Sequence, residues 1–138
     1  MAVRKANRND IPALLALMKR HHAEHDFAWS FDPVRLSMTL AHAIAAADWL
    51  CLVGNGAMLL AQAFDSPLGA GRLAVEHIVR AAQPGQFAAM LRDYERWARL
   101  QGCGSITLAC VRKPAAFARL YGRHGFRPAE TVFIKALA

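Results

Sequence analysis

The turn Gln83-Pro84-Gly85 lies between an apolar run, Leu73-Ala74-Val75-Glu76-His77-Ile78-Val79, and a stretch whose apolar residues recur at 87, 91, 94 and 98. The run suits a buried strand, and the spacing predicts a helix with one buried side, widened by Met90 and Trp97. A strand feeding a turn that opens a helix can hold an anion, because the first-turn N–H groups lack partners and the helix dipole favours negative charge. No Ser, Thr, Asp or Asn stands at this helix start, so a phosphate could take the place of a cap; an ordinary strand-to-helix connection accounts for the same residues. A second group is His21, His22 and His25. His21 and His25 fall one helical turn apart, a geometry that can bind a metal, but without a third ligand a solvated helix end, where imidazolium meets the negative pole, explains the group better. A third is the basic set Arg112, Lys113, Arg119, Arg123 and Arg127, which either holds phosphates or forms a solvated face.

The bulk properties of the chain limit what these groups can serve. With 138 residues it reads as one domain over 1–138, long enough to bury most of its apolar surface. A 55% hydrophobic and 20% charged composition excludes a disordered chain. No apolar targeting segment follows Arg4, Lys5 and Arg8, and no stretch approaches membrane-spanning length, so a cytoplasmic protein without membrane contact is expected. Cys51, Cys103 and Cys110 lack metal or redox spacing and read as reduced core thiols. The net charge of +7 calls for an anionic partner. Nucleic acid ranks last, because neither a recognised RNA motif nor a helix-turn-helix accompanies the charge.

Taken in order, Ala2 to Ala6 gives a first strand, and Asn9 or Asp10 caps a helix carrying Ile11, Leu14, Leu15 and Met18. A loop with Phe27, Trp29 and Phe31 leads to Asp32-Pro33, which opens a second helix buried through Leu36, Leu40, Ala43, Ile44 and Ala47. Trp49 to Val53, the turn Gly54-Asn55-Gly56, and Met58 to Phe64 form a hairpin, since Asn-Gly accepts the positive φ of a type I′ turn. After the long helix, Ser105 to Val111 is a further strand, and a short helix follows Pro114 with Phe117, Leu120, Tyr121 and His124 on one face. Phe126 to Pro128 and Thr131 to Leu137 are extended. The order is β-α-α-β-β-β-α-β-α-β, an α/β fold.

This order, together with Ala115-Ala116-Phe117-Ala118-Arg119-Leu120-Tyr121-Gly122-Arg123-His124-Gly125-Phe126, resembles the GNAT superfamily of acyl-CoA-dependent N-acyltransferases, whose A-x-x-L-Y-x-x-x-G-F segment it matches. The resemblance runs from Val3-Arg4-Lys5-Ala6 to Thr131-Val132-Phe133 and implies a mixed, mostly antiparallel sheet flanked by helices. It also implies that Leu73 to Val79 is central and diverges from Ser105 to Val111. The family's pyrophosphate loop, aligned on Met90-Leu91, falls on Ala82-Gln83-Pro84-Gly85-Gln86-Phe87, where only Gly85 fits the pattern and Pro84 removes an N–H. Arg80, Gln83, Gly85, Gln86 and Phe87 are therefore the cofactor-side candidates, with Arg80 and Gln83 as substitute side-chain donors.

The implied activity is transfer of an acetyl group from acetyl-CoA to a small-molecule or protein amine by direct attack on the thioester, so the protein has to move protons and supply proximity. Glu76 occupies a position where relatives often carry a basic carboxylate; in a cleft its pKa can be raised, while a partnered polar residue on a strand is the plainer reading. His77 points to the opposite face by the two-residue period, so only one of the two looks into the cleft. Tyr121 is similar to the family's general acid, and backbone groups of Ile78 and Val79 would pair with the pantetheine arm. Phe27, Trp29 and Phe31 either wall an acceptor pocket or pin their loop to the core. The resemblance also leaves room for a homodimer, and for a catalytically impaired binding module on the same fold.

Overall fold

In the computed structural model, which describes residues 2–110 and 114–137, the chain builds one five-stranded sheet with strands in the order β1-β2-β3-β4-β5. The strands are β1 (Arg4–Lys5), β2 (Trp49–Gly54), β3 (Ala57–Asp65), β4 (Arg72–Arg80) and β5 (Cys103–Ile106). The first four run antiparallel to their neighbours, and β5 joins β4 in parallel across the helix that connects them. Helices α1 (Ile11–Glu24) and α2 (Pro33–Ala45) precede β2, α3 (Gln86–Leu100) links β4 to β5, and α4 (Pro114–Gly122) follows.

Each face of the sheet carries its own core. On one side α3 lays Met90, Leu91, Tyr94, Trp97 and Ala98 over Leu50, Leu52, Leu59 and Ala61. On the other, Leu14 and Met18 of α1 and Leu40 and Ala43 of α2 cover Cys51, Val53, Met58, Leu60 and Ile78. A sheet buried on both faces explains why β2 and β3 read as nearly continuous apolar runs rather than as alternation.

Local signals account for most element ends. Asp32 accepts a hydrogen bond from the Arg35 N–H at 3.0 Å and so caps α2, with Pro33 in the first turn. Gly54 pairs with Ala57, leaving Asn55-Gly56 as a two-residue turn with Gly56 at φ +71°. The start of α1 differs from the expected cap: a 3-10 turn at Arg8–Asp10 precedes it, Asn7 caps that turn, and Asp10 instead receives the Asn7 N–H and the Arg4 guanidinium. Arg4 and the Asn7 N–H hold the Asp10 carboxyl down at about 2.

Three expectations need correction. The strand foreseen at 105–111 is laddered only over Cys103–Ile106, because beyond Ala74 its neighbour β4 turns away; Val111, Arg112 and Lys113 lie outside the described residues. The closing strand foreseen at Thr131–Leu137 carries no ladder, and Val132, Phe133 and Ile134 are exposed. Thr-Val-Phe-Ile has strand propensity, but a strand forms only against a partner edge. Of the three thiols, Cys51 is buried with its pKa raised to about 12, Cys103 is half-buried, and Cys110 is exposed where the chain leaves the sheet.

Candidate active site

The divergence of β4 from β5 creates the site. Three register pairs join them, Arg72 with Cys103, Leu73 with Ser105 and Ala74 with Ile106, and the Thr107 N–H reaches the Ala74 carbonyl at 3.0 Å. Past that point the β5-side edge of β4 has no ladder partner among the described residues. Two side chains from distant parts of the sequence meet in the gap on one residue of the departing chain. The Ala109 N–H donates to Glu76 Oε1 at 3.4 Å, and the Tyr121 hydroxyl donates to the Ala109 carbonyl at 2.8 Å.

Burial sets the proton affinities of both groups. Loss of water raises the Glu76 carboxyl to about 7, the Ala109 N–H opposing only part of the rise. Burial, and then the neighbouring Glu76 and Cys110, hold the Tyr121 phenol above its ordinary value, which keeps its proton in place. Tyr94, buried in the α3 core, is raised for the same first reason and donates to the Thr107 carbonyl at 3.1 Å. Tyr121 is a buried residue of α4, held against Phe87, and the chain turns back at Gly125, where φ is +87° and the Phe126 N–H returns to the Tyr121 carbonyl.

The loop before α3 is built differently. Gly85 adopts φ +85° with open space where a Cβ would stand. The Gln86 side chain turns inward and is 7% exposed: its amide oxygen receives the Ala82 and Gln83 N–H groups, each at 2.8 Å, and its Nε2 donates to the Asn55 carbonyl at 2.8 Å. Two loop donors that could meet a phosphate are thus held by the chain itself. Gln83 is exposed at the loop surface. Phe87 stacks on Tyr121 with ring centres 5.9 Å apart and meets His124 edge-on at 5.4 Å, so it joins the helix start to the phenol. Arg80 leaves on the α1 side, where its guanidinium is bidentate on Glu24 at 2.8 and 3.1 Å and lowers that carboxyl to about 2. The structure therefore brings Glu76, Tyr121 and Phe87 together and does not bring Arg80 to the loop. The loop-closing part played by Gln86 escaped sequence reasoning; a Gln in the first turn of an otherwise uncapped helix is the signal that points to it.

His77 lies across the sheet from Glu76. It is the extra residue of a bulge: Ala61 pairs with Glu76 and Leu60 with Ile78, so His77 has no register partner and both His77 and Ile78 turn to the α1–α2 side. There they line a cavity of about 410 Å³ together with Met18, Phe27, Trp29 and Trp49. Trp49 stacks on His77 at 5.3 Å, and His77 Nε2 faces Gln62 Oε1 at 3.2 Å. The aromatic loop both walls this cavity and is pinned to the fold: the His22 ring N–H donates to the Trp29 carbonyl at 2.6 Å, and Phe27 stacks on Trp29 at 4.7 Å. The three histidines are half-buried rather than solvated, and His25 Nδ1 donates to the His21 carbonyl at 2.7 Å.

A mixed sheet whose parallel pair splays after three residues, with helices on both faces in this order, is the fold of the GNAT acetyltransferases. Solved structures resemble it along nearly its whole length. A protein from Clostridium acetobutylicum described as a predicted acetyltransferase, crystallised with acetyl-CoA, is 18% identical, with 96% of this chain and 94% of that chain covered and a TM-score of 0.74. The aminoglycoside 6'-N-acetyltransferase AAC(6')-IG of Acinetobacter haemolyticus is 15% identical over 100% and 99% of the two chains, with a TM-score of 0.73. A transcriptional regulator from Bacillus halodurans is 15% identical over 99% of each chain, with a TM-score of 0.75. No family model and no curated protein matches the sequence. Among the described residues no helix is long and apolar enough to cross a membrane.

Proposed function

We propose that this protein is an N-acetyltransferase that moves the acetyl group of acetyl-CoA to an amine by direct attack. The observation that carries the reading is the convergence of Glu76 and Tyr121 on Ala109 at the mouth of the splay. The open edge of β4 beyond Ala74 fits an extended pantetheine arm, whose amides would bond to backbone groups near Ile78 and Val79. The loop fits a pyrophosphate less well, with Gly85 open and the Ala82 and Gln83 donors already held by Gln86. The acceptor would enter from the aromatic cavity, which backs onto the same strand segment.

The amine, having first given its ammonium proton to solvent, attacks the thioester carbonyl carbon through its free nitrogen, and the C–S bond breaks as the C–N bond forms. Glu76, whose carboxyl is raised to about 7, takes through water the proton that the amine loses, since the acceptor cavity lies on the other face of the strand, and passes it to solvent. Tyr121 gives its proton to the departing thiolate and regains one from solvent. Positioning of the two reactants supplies the remainder of the rate.

Steady-state thiol release, measured for wild type and Tyr121→Phe after circular dichroism shows both folded, tests the reading. A slowed variant is expected. Equal rates would remove the acid role, and no release by either protein with any acceptor would remove the transferase.

A further inference from the structure

The cavity on the α1–α2 face differs in chemistry from the rest of a strongly basic surface. Its walls are aromatic and aliphatic, and among the described residues lining it none is acidic; the polar groups are His21, Thr39 and His77. Trp29 stands at the cavity half exposed and stacked on Phe27, and Trp49 presents a ring already stacked on His77. Its volume, about 410 Å³, lies toward the small end of ligand sites.

Resting on the transferase reading only in taking this cavity as the acceptor's place, we propose that the cavity selects amines with one positive charge carried on an aromatic or aliphatic body, arylalkylamines above all. A single ammonium can lie near the Trp rings that line the cavity, whose quadrupoles attract it, with its apolar body against Phe27, Met18 and Ile78. A polyamine fits poorly, because each further ammonium would lose hydration with no carboxylate to receive it. The net charge of +7 adds long-range repulsion that grows with every positive charge on the ligand. His77 Nε2 faces the Gln62 side-chain amide oxygen, and the tautomer that donates there leaves Nδ1 as an acceptor for one amine but not several.

The test is a comparison of 2-phenylethylamine with spermidine as acceptors, by thiol release and by calorimetric binding to the full chain, in wild type, Trp49→Ala and Thr39→Asp. We expect kcat/KM and affinity for 2-phenylethylamine to exceed those for spermidine by at least about tenfold, the scale of one aromatic–cation contact. Trp49→Ala should erase that preference, and Thr39→Asp, which places a carboxylate in the cavity without removing a ring, should shift it toward spermidine. If Trp49→Ala fails to fold, Thr39→Asp alone decides. A preference for spermidine in wild type would overturn the proposal while leaving the transferase intact. Selective binding of 2-phenylethylamine without any transfer would uphold the cavity's chemistry and remove the transferase. Binding of neither amine, or a preference unmoved by the folded variants, would overturn the proposal.

Discussion

The splay and the loop before α3 are neighbours in one site, yet they are built on opposite terms. In the splay, β4 has no ladder partner on its β5 side beyond Ala74 among the described residues, and the side chains that enter the gap, Glu76 and Tyr121, touch the departing chain through one residue each way. In the loop, the chain closes on itself: Gln86 takes up two backbone donors and ties them to the hairpin tip at Asn55. A main-chain edge is available whatever the side chains are, so a contact made through it survives sequence change. A cradle of N–H groups depends on what stands beside it, and a single buried amide is enough to fill part of it.

The comparison is broken or sharpened first by Tyr121→Phe. If the splay is the chemical centre, losing that proton donor should slow thiol release by up to about ten-thousandfold, the range of general acid catalysis. The fold should persist, since the ring stays and one hydrogen bond to Ala109 is worth about 1 kcal/mol.

The loop makes the next largest demand. With one or two charge-assisted phosphate contacts missing, at about 1.5–3 kcal/mol each, acetyl-CoA should bind roughly one to four orders of magnitude more weakly than to a full cradle. Calorimetry is expected to give a Kd above the micromolar level; sub-micromolar binding would mean that Gln86 yields its donors to the ligand.

Glu76 then separates charge from shape. Its carboxyl is raised from 4.5 to about 7 in the folded protein, so the folded state favours the protonated form. The resulting stability is fully present below about pH 4.5 and is lost as pH rises through about 7, a change of about 3 kcal/mol. Denaturant titrations should therefore show Glu76→Gln gaining on wild type between about pH 5 and pH 8, while the wild-type rate climbs across the same interval and the Gln variant lacks that climb.

The smallest expected effect is that of Gln86→Ala. Removing a buried amide that satisfies two donors and an acceptor should lower the denaturation midpoint by the equivalent of about 1–3 kcal/mol. Acetyl-CoA added at saturating concentration should recover more of that loss than it adds to wild type, if phosphate can take the vacated N–H groups.

Much of this arrangement is legible in the sequence where the signal is local. The spacing of Leu91, Tyr94 and Ala98 marks the buried face of α3, Asn55-Gly56 marks the hairpin, and Asp32-Pro33 marks the start of α2. The motif around Tyr121 places that residue on a helix, but only the fold brings its hydroxyl to Ala109. What stays hidden is non-local. Arg80 is a plausible phosphate donor by sequence position, and its partner Glu24 stands 56 residues earlier. Gln86 meets Asn55 across 31 residues, and no periodicity encodes such a contact. The run Thr131 to Leu137 reads as a strand because propensity is a property of the segment, whereas pairing is a property of what lies beside it.

The bulge at His77 carries a constraint of a different kind. Along β4, Ala74 belongs to the α3 core and Ile78 to the opposite one, although an even number of positions separates them. One inserted position has reset the parity of the strand, and every side chain beyond it depends on the count. Shortening the strand by that one residue would turn Ile78 toward α3, Val79 toward α1, and Arg80 away from Glu24, without altering any of their identities. At this point the fold depends on the number of residues before it depends on their chemistry.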